Sequence, residues 1–172
     1  MQLENMVRGV IEDECEDYFF GIADLSIAER PIIEQEKSLI AEYPKAISIG
    51  ITVHPILLKE ILRKNESSTT NHYAKVLPQL NIITAHLSNL LQCEGYKALP
   101  MSIIEELGDT IISSISDELV ANMAGLGQIG SDGSLITQEV GSEVLWSTIF
   151  TDAPLKVTGK SLKQFDNLND IK

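Results

Sequence analysis

The chain has 172 residues, of which 44% are apolar and 22% charged, and it carries a formal net charge of −12. This length predicts one domain with a buried core, and the acidic balance disfavours nucleic acid and anionic membrane surfaces, whose phosphates would be repelled. No apolar run approaches the ~20 residues that cross a bilayer. The start, Met1-Gln2-Leu3-Glu4-Asn5, lacks the basic and apolar parts of a signal peptide. Cys15 and Cys93 are the only two cysteines, too few for a four-cysteine zinc or iron–sulfur site. The expectation is a cytoplasmic, reduced protein with no intrinsic iron–sulfur cluster.

Leu3, Met6, Val7, Val10 and Ile11 recur at helical spacing and predict an amphipathic helix to about Cys15. Residues 18–23 are aromatic, apolar and few, as in a buried strand. Residues 32–42 read as a helix that stops before Pro44, which disfavours helical torsions at Tyr43. The clearest strand is 46–53, where Ile47, Ile49, Ile51 and Val53 alternate with Ala46, Ser48, Gly50 and Thr52. One face is therefore branched and the other nearly bare. A packed helix is the commoner occupant of a bare face, and a flat cofactor is the other.

Pro55 opens a short helix to about Lys64. Residues 65–71, polar and without period, read as a loop. The longest helix follows, its apolar stripe running from Tyr73, Val76 and Leu77 through Leu80, Ile83 and Leu87 to Leu90 and Leu91. Pro78 should kink it or mark its start, and Gly95 should end it. Residues 96–99 suggest a short strand. Ser102-Ile103-Ile104-Glu105 and Ser114-Ile115-Ser116-Asp117 fit capping boxes, the first for a brief helix stopping at Gly108, the second for a helix over about Asp117–Met123.

That last helix runs into Ala124-Gly125-Leu126-Gly127-Gln128-Ile129-Gly130. The spacing imitates the dinucleotide fingerprint, which needs a strand before its glycines and a helix after them. Here the order is helix, glycines, strand, so a Rossmann site is rejected. The glycines give either a run of backbone N–H groups able to hold an anion or a cofactor edge, or simply the torsions of a turn. Residues 134–139 and 144–151 flank a turn near Gly141-Ser142 and should pair as an antiparallel hairpin. From Lys156 the chain turns polar, as a surface arm or frayed tail does. The sum is an α+β fold, one domain over 1–155 with a tail over 156–172.

Few side chains point to chemistry by themselves. His54 follows the bare-faced strand and could approach a cofactor, although a strand-end histidine is the plainer reading. His72 and His86 are the other two imidazoles. Tyr73 is a candidate proton donor or a core residue, and Asp109 and Asp152 are candidate acids or turn residues. Trp146 reads as core, Cys93 as an inert small residue, and the acidic run Glu12-Asp13-Glu14 as a solvated helix face.

Three stretches in close succession carry a resemblance: residues 124–130, then Gly133-Ser134-Leu135-Ile136-Thr137-Gln138-Glu139-Val140-Gly141, then Thr151-Asp152-Ala153-Pro154-Leu155. Together they resemble the corrinoid-binding reductase module shared by epoxyqueuosine reductases and reductive dehalogenases. Gly21-Ile22-Ala23-Asp24-Leu25, residues 43–50 and Gly95-Tyr96-Lys97-Ala98 extend the likeness over roughly Asp17 to Lys156. The resemblance implies a nitroreductase-like α+β fold, a mainly antiparallel sheet flanked by helices, with a corrinoid (cobalamin) against the sheet. It places Gly125, Leu126, Gly127, Gln128, Ile129, Gly130, Ser131 and Thr137 at the cofactor. In that family iron–sulfur clusters deliver electrons to the cobalt. With no cysteine after Leu155 here, electrons would come from a ferredoxin-like partner.

The sequence departs from the family where members usually carry an aromatic residue at Gln128 and basic residues at Ser131, Glu143 and near Asp117-Glu118. Carboxylates beside a corrinoid's phosphodiester would repel it by about 1 kcal/mol or more in a partly buried site. Three readings follow: a cluster-less corrinoid reductase relative, a non-catalytic interaction or regulatory subunit, and a flavin (FMN)-binding dimer.

Overall fold

The alternation read along residues 46–52 sets the architecture. β2 (Lys45–Thr52) lies between β1 (Tyr18–Asp24) and β6 (Val144–Thr151), and β3 (Ala98–Pro100) pairs with the far side of β6. The result is a four-stranded, wholly antiparallel sheet in the order β1-β2-β6-β3. This computed structural model describes residues 2–15, 17–27, 34–52, 66–102 and 115–158. The expected short helix after Pro55, all but the start of the one at Ser102, His54 and Asp109 lie outside those residues, as do the side chains of His72 and Tyr73.

Ile47, Ile49 and Ile51 point to one face, where Ile22 and Ile149 flank them. That face is covered by α1 (Gln2–Glu14) through Val7 and Ile11 and by α3 (Glu66–Cys93) through Leu80, Ile83, Leu87 and Leu91. The bare face holds a packed helix after all. Ala46, Ala23 and Phe150 meet Val120 and Ala124 at α4 (Asp117–Met123), with Leu39 and Ile40 of α2 (Glu34–Glu42) at the rim. At Gly50 the occupant is an indole: an added Cβ would lie 2.6 Å from Trp146 Cζ3 and 2.7 Å from Val144 Cγ1. Phe19 packs on the same indole with ring centroids 5.6 Å apart.

Several expectations are corrected. Residues 66–71 are helical, because a helix already formed gains one hydrogen bond per added residue, and Ser, Thr and Asn each cost only about 0.7 kcal/mol or less relative to Ala. Pro78 lies inside α3 and does not mark its start. Ser116, not Ser114, caps α4, its hydroxyl accepting the Leu119 N–H at 3.0 Å. Gly95 ends α3 as expected, at φ +91°, with its N–H on Gln92 O and the Tyr96 N–H on Leu91 O.

The expected hairpin of 134–139 with 144–151 does not form. β6 has both edges occupied, by β2 and β3. β5 (Leu135–Ile136) pairs back with β4 (Gln128–Ile129) in a separate two-stranded sheet. A tight turn closed by Thr137 and Gly141, N–H to carbonyl in both directions, then redirects the chain towards β6.

Nor do residues 156–158 fray. The Thr158 N–H donates to Ile22 O at 2.9 Å, the Ile22 N–H to Thr158 Oγ1 at 2.8 Å, and the Lys156 N–H to Glu4 Oε1 at 2.7 Å. The Lys156 amide, donating to it, holds the Glu4 carboxyl below its ordinary 4.5. The contact is therefore intact above pH 4.5 and lost as pH falls through the lowered value. The Lys156 amide resonance is expected to titrate with a midpoint below 4.5, and a midpoint at or above it would mean the two are not bonded in solution.

Candidate functional site at the glycine turn

α4 is seven residues long and stops by a left-handed residue. Gly125 has φ +81°, its N–H donates to Asn122 O at 3.0 Å, and the Leu126 N–H donates to Ala121 O at 3.0 Å. This is the paired-bond stop that favours glycine just past a helix. The first glycine of the turn therefore ends a helix, and two of the expected free amides are already bonded.

Gly127 answers to a close approach. A Cβ there would sit 2.6 Å from Ile136 O and 3.1 Å from Leu135 Cγ, because β5 crosses directly against it. Asn122 Nδ2 donates to the Gly127 carbonyl at 2.9 Å and ties the turn back to α4. The Gly130 N–H donates to Ser134 O at 2.8 Å, and the Gly133 N–H to Gly130 O at 3.0 Å. Asp132 accepts from Ser134 Oγ at 2.7 Å and from its N–H at 3.1 Å, and these bonds hold its carboxyl below the usual range. Thr137 is buried, its hydroxyl donating to Gly141 O and accepting the Val140 N–H.

Of the residues the sequence singled out, then, Gly125, Leu126 and Gly130 have their amides bonded within the chain, and Thr137 has its hydroxyl so bonded. Pairing of Gly130 with Ser134 makes Gln128 and Ile136 the next hydrogen-bonded pair of the ladder. The N–H and C=O of Ile129 are thereby left on the outer edge of β4. Gln128, Ile129 and Ser131 are exposed there, Ile129 at 44%; Ile136, exposed at 47%, shares the opposite face of the hairpin with Gln128, while Ile129 lies on the face of buried Leu135. The region thus presents one exposed isoleucine on each face of a small hairpin and the outward main-chain groups of Ile129 between them, with the Gly125, Leu126 and Gly130 amides turned inward to the chain.

The other candidates scatter. Asp117 accepts the Thr148 hydroxyl at 2.7 Å, which ties the start of α4 to the sheet. Asp152 accepts the Lys97 N–H at 2.8 Å and anchors a corner, as a turn residue would. Cys93 is exposed, not packed, and His86 is a surface residue 3.8 Å from the Glu14 carboxylate. Trp146 is half-buried over Gly50. Two features escaped the sequence: Ser48 Oγ, fully buried with no hydrogen-bond partner, and Thr158 Oγ1, which donates to Ala124 O at 2.8 Å. Register alone places Ser48 beside Thr148, and no local pattern carries that information.

No family model matches the chain. A curated epoxyqueuosine reductase from Listeria monocytogenes is 28% identical over 151 residues, which cover 86% of this chain and 38% of that protein. The chain is related in sequence to epoxyqueuosine reductase. Solved epoxyqueuosine reductases from Bacillus subtilis and Streptococcus thermophilus have the same fold, with TM-scores of 0.51 and 0.53 at 16% identity. They match over 92% and 94% of this chain and over 48% and 49% of their own. The chain thus spans about half the length of the solved epoxyqueuosine reductases and less of the curated one. The expected mixture of helices with an antiparallel sheet holds for the described residues of this chain. Among the described residues no helix is long and apolar enough to cross a membrane.

Proposed function

We propose that this chain is a corrinoid-reductase-type module that takes a flat cofactor edge-on against the outer side of the β4–β5 hairpin. A corrinoid is the first choice and FMN, in a nitroreductase-like dimer, the second. The observation that carries the reading is the exposed edge at Ile129, with its outward main-chain groups, in a chain related to epoxyqueuosine reductase. Ile129 would cover an apolar ring edge, Gln128 and Ser131 would meet its polar substituents, and Thr137 would hold the turn behind them. A bound corrinoid would supply reduction at its metal. These 172 residues hold two cysteines, too few for a four-cysteine cluster, and electrons would come from a ferredoxin-like centre outside them.

A second reading, an interaction or regulatory module without cofactor, is favoured by the internal bonding of the Gly125, Leu126 and Gly130 amides and by the acids at Asp117 and Glu143. Visible-absorption titration with hydroxocobalamin and with FMN separates the two. The first reading expects a saturable spectral change that Ile129→Asp weakens about tenfold, through repulsion of the phosphodiester, with an unchanged melting temperature. No change with either ligand, or an affinity indifferent to the added carboxylate, would leave the interaction module as the better account.

A further inference from the structure

A helix of seven residues does not hold itself in water, where lengths below about 12–15 residues are marginal, so α4 keeps its place through what grips it. Val120 and Ala124 pack on the sheet, and a polar contact pins each end. At the start, Asp117 accepts the hydroxyl of Thr148, in the middle of β6. At the far end the pin comes from a segment outside the sheet. Thr158 Oγ1 accepts the Ile22 N–H at 2.8 Å and donates to Ala124 O at 2.8 Å. One hydroxyl thus relays a hydrogen bond from the edge of β1 to the carbonyl just before Gly125, and bonds in such a relay strengthen one another. The last carbonyls of a helix have no partner within it, and Ala124 finds its partner 34 residues further along the chain.

Gly21 shows how closely these pieces meet. A Cβ there would lie 2.9 Å from Thr158 Oγ1, 2.9 Å from Ala124 Cβ and 3.1 Å from Ala124 O. The strap that presents Thr158 is itself seated. Ala153 and Leu155 are buried while Pro154 and Lys156 are exposed, the alternation of an extended ribbon lying on a surface. Lys45 Nζ donates to Leu155 O at 2.6 Å, the Lys156 N–H to Glu4, and the Thr158 N–H to Ile22 O. The strap is therefore tied to β2, α1 and β1 before its last hydroxyl reaches α4. What that hydroxyl holds, the glycine turn inherits. The Gly125 and Leu126 amides bond back to Asn122 O and Ala121 O, and Asn122 Nδ2 to the Gly127 carbonyl, so the end of α4, the turn and the start of β4 form one linked piece.

We propose that Thr158 is a positioning residue for the glycine turn: its hydroxyl clasps the end of α4 to β1 and thereby sets where the open edge of β4 stands. The candidate site is held from outside itself, by the strap over residues 152–158. Drawing that strap away from β1 loosens the turn and leaves the sheet intact. That the edge so placed receives a cofactor rests on the function proposed above; the clasp itself does not.

Amide hydrogen exchange of the full chain tests the clasp. Thr158→Val keeps the shape of the side chain and the N–H bond to Ile22 O but removes the hydroxyl. Exchange at Gly125 and Leu126 is expected to quicken about fivefold, as for the loss of one net hydrogen bond, and Thr158→Ser should restore it. Val120, whose N–H bonds to Ser116 O beside the Asp117 pin, and Ile49 in the central strand should keep their rates. Faster exchange at Ile22 alone would mean a bond with only local effect, and an equal rise at Val120 and Ile49 a general loss of stability. Either result overturns the proposal. Titration with hydroxocobalamin adds a second readout: where the unsubstituted chain binds, Thr158→Val should weaken the affinity severalfold and Thr158→Ser should not. Affinity indifferent to Thr158→Val overturns the positioning role. An unsubstituted chain that binds no cobalamin counts against the cofactor reading alone, and the exchange pattern then decides the clasp.

Discussion

Gly127→Val is expected to lower the melting temperature by roughly 6–12 °C, the equivalent of about 3 kcal/mol in a domain of this size. An added Cβ at this position lies 2.6 Å from Ile136 O, a main-chain atom in a paired strand. No side-chain rotation relieves that contact. The hairpin must move away from α4, which strains the Asn122 bond to the Gly127 carbonyl and the packing of buried Leu135. Thermal unfolding followed by circular dichroism measures the effect, and cobalamin titration of the same variant gives the contrast. Were the turn a cradle held open for a ligand, the substitution would abolish binding and shift the melting temperature by only a degree or two. That outcome would contradict the close approach of β5 described above.

The second large effect is expected on β2, where neighbouring residues should respond with opposite sign. Ile49 is fully buried on the central strand, and Ile49→Ala removes its packing against the α1 and α3 layer, at a cost of about 3–4 kcal/mol. Ser48, one residue earlier, faces α4 with a buried hydroxyl that has no partner. Ser48→Ala removes that unsatisfied group and should raise stability by about 1 kcal/mol. Urea unfolding of both variants, with unchanged m-values, would bear this out. A loss of stability in Ser48→Ala would mean that a bound water or ligand group satisfies the hydroxyl in solution, and would reopen the bare face as a site.

Much of the fold is legible in the residues. The isoleucine alternation of 46–52, the apolar stripes of α1 and α3, and the glycine stop at Gly95 each depend on neighbours within a turn or two. The helix boundary at Glu66 was not legible, because polar residues without period give no stripe while their helical cost is small. The pairing of 134–139 was not legible either. Closeness in sequence favours a hairpin with 144–151, but β6 is the second central strand and both its edges are taken by distant partners.

The glycine turn shows the same division at the candidate site. Its composition announced backbone torsions and close contacts, and both are present, at Gly125 and Gly127. What approaches so closely is not encoded locally. Three readings of one glycine run, a ligand cradle, a helix stop and a strand crossing, ask for the same residue type for the same steric reason.

By itself the sequence determined which faces are apolar, where helices and strands run, and that the chain is acidic, because period and composition act through local geometry and summed charge. Only the tertiary structure decided what covers each face. It set Trp146 over Gly50, β5 against Gly127 and Thr158 along β1, because contacts between residues far apart in the chain follow from packing and strand register, to which a local pattern is blind.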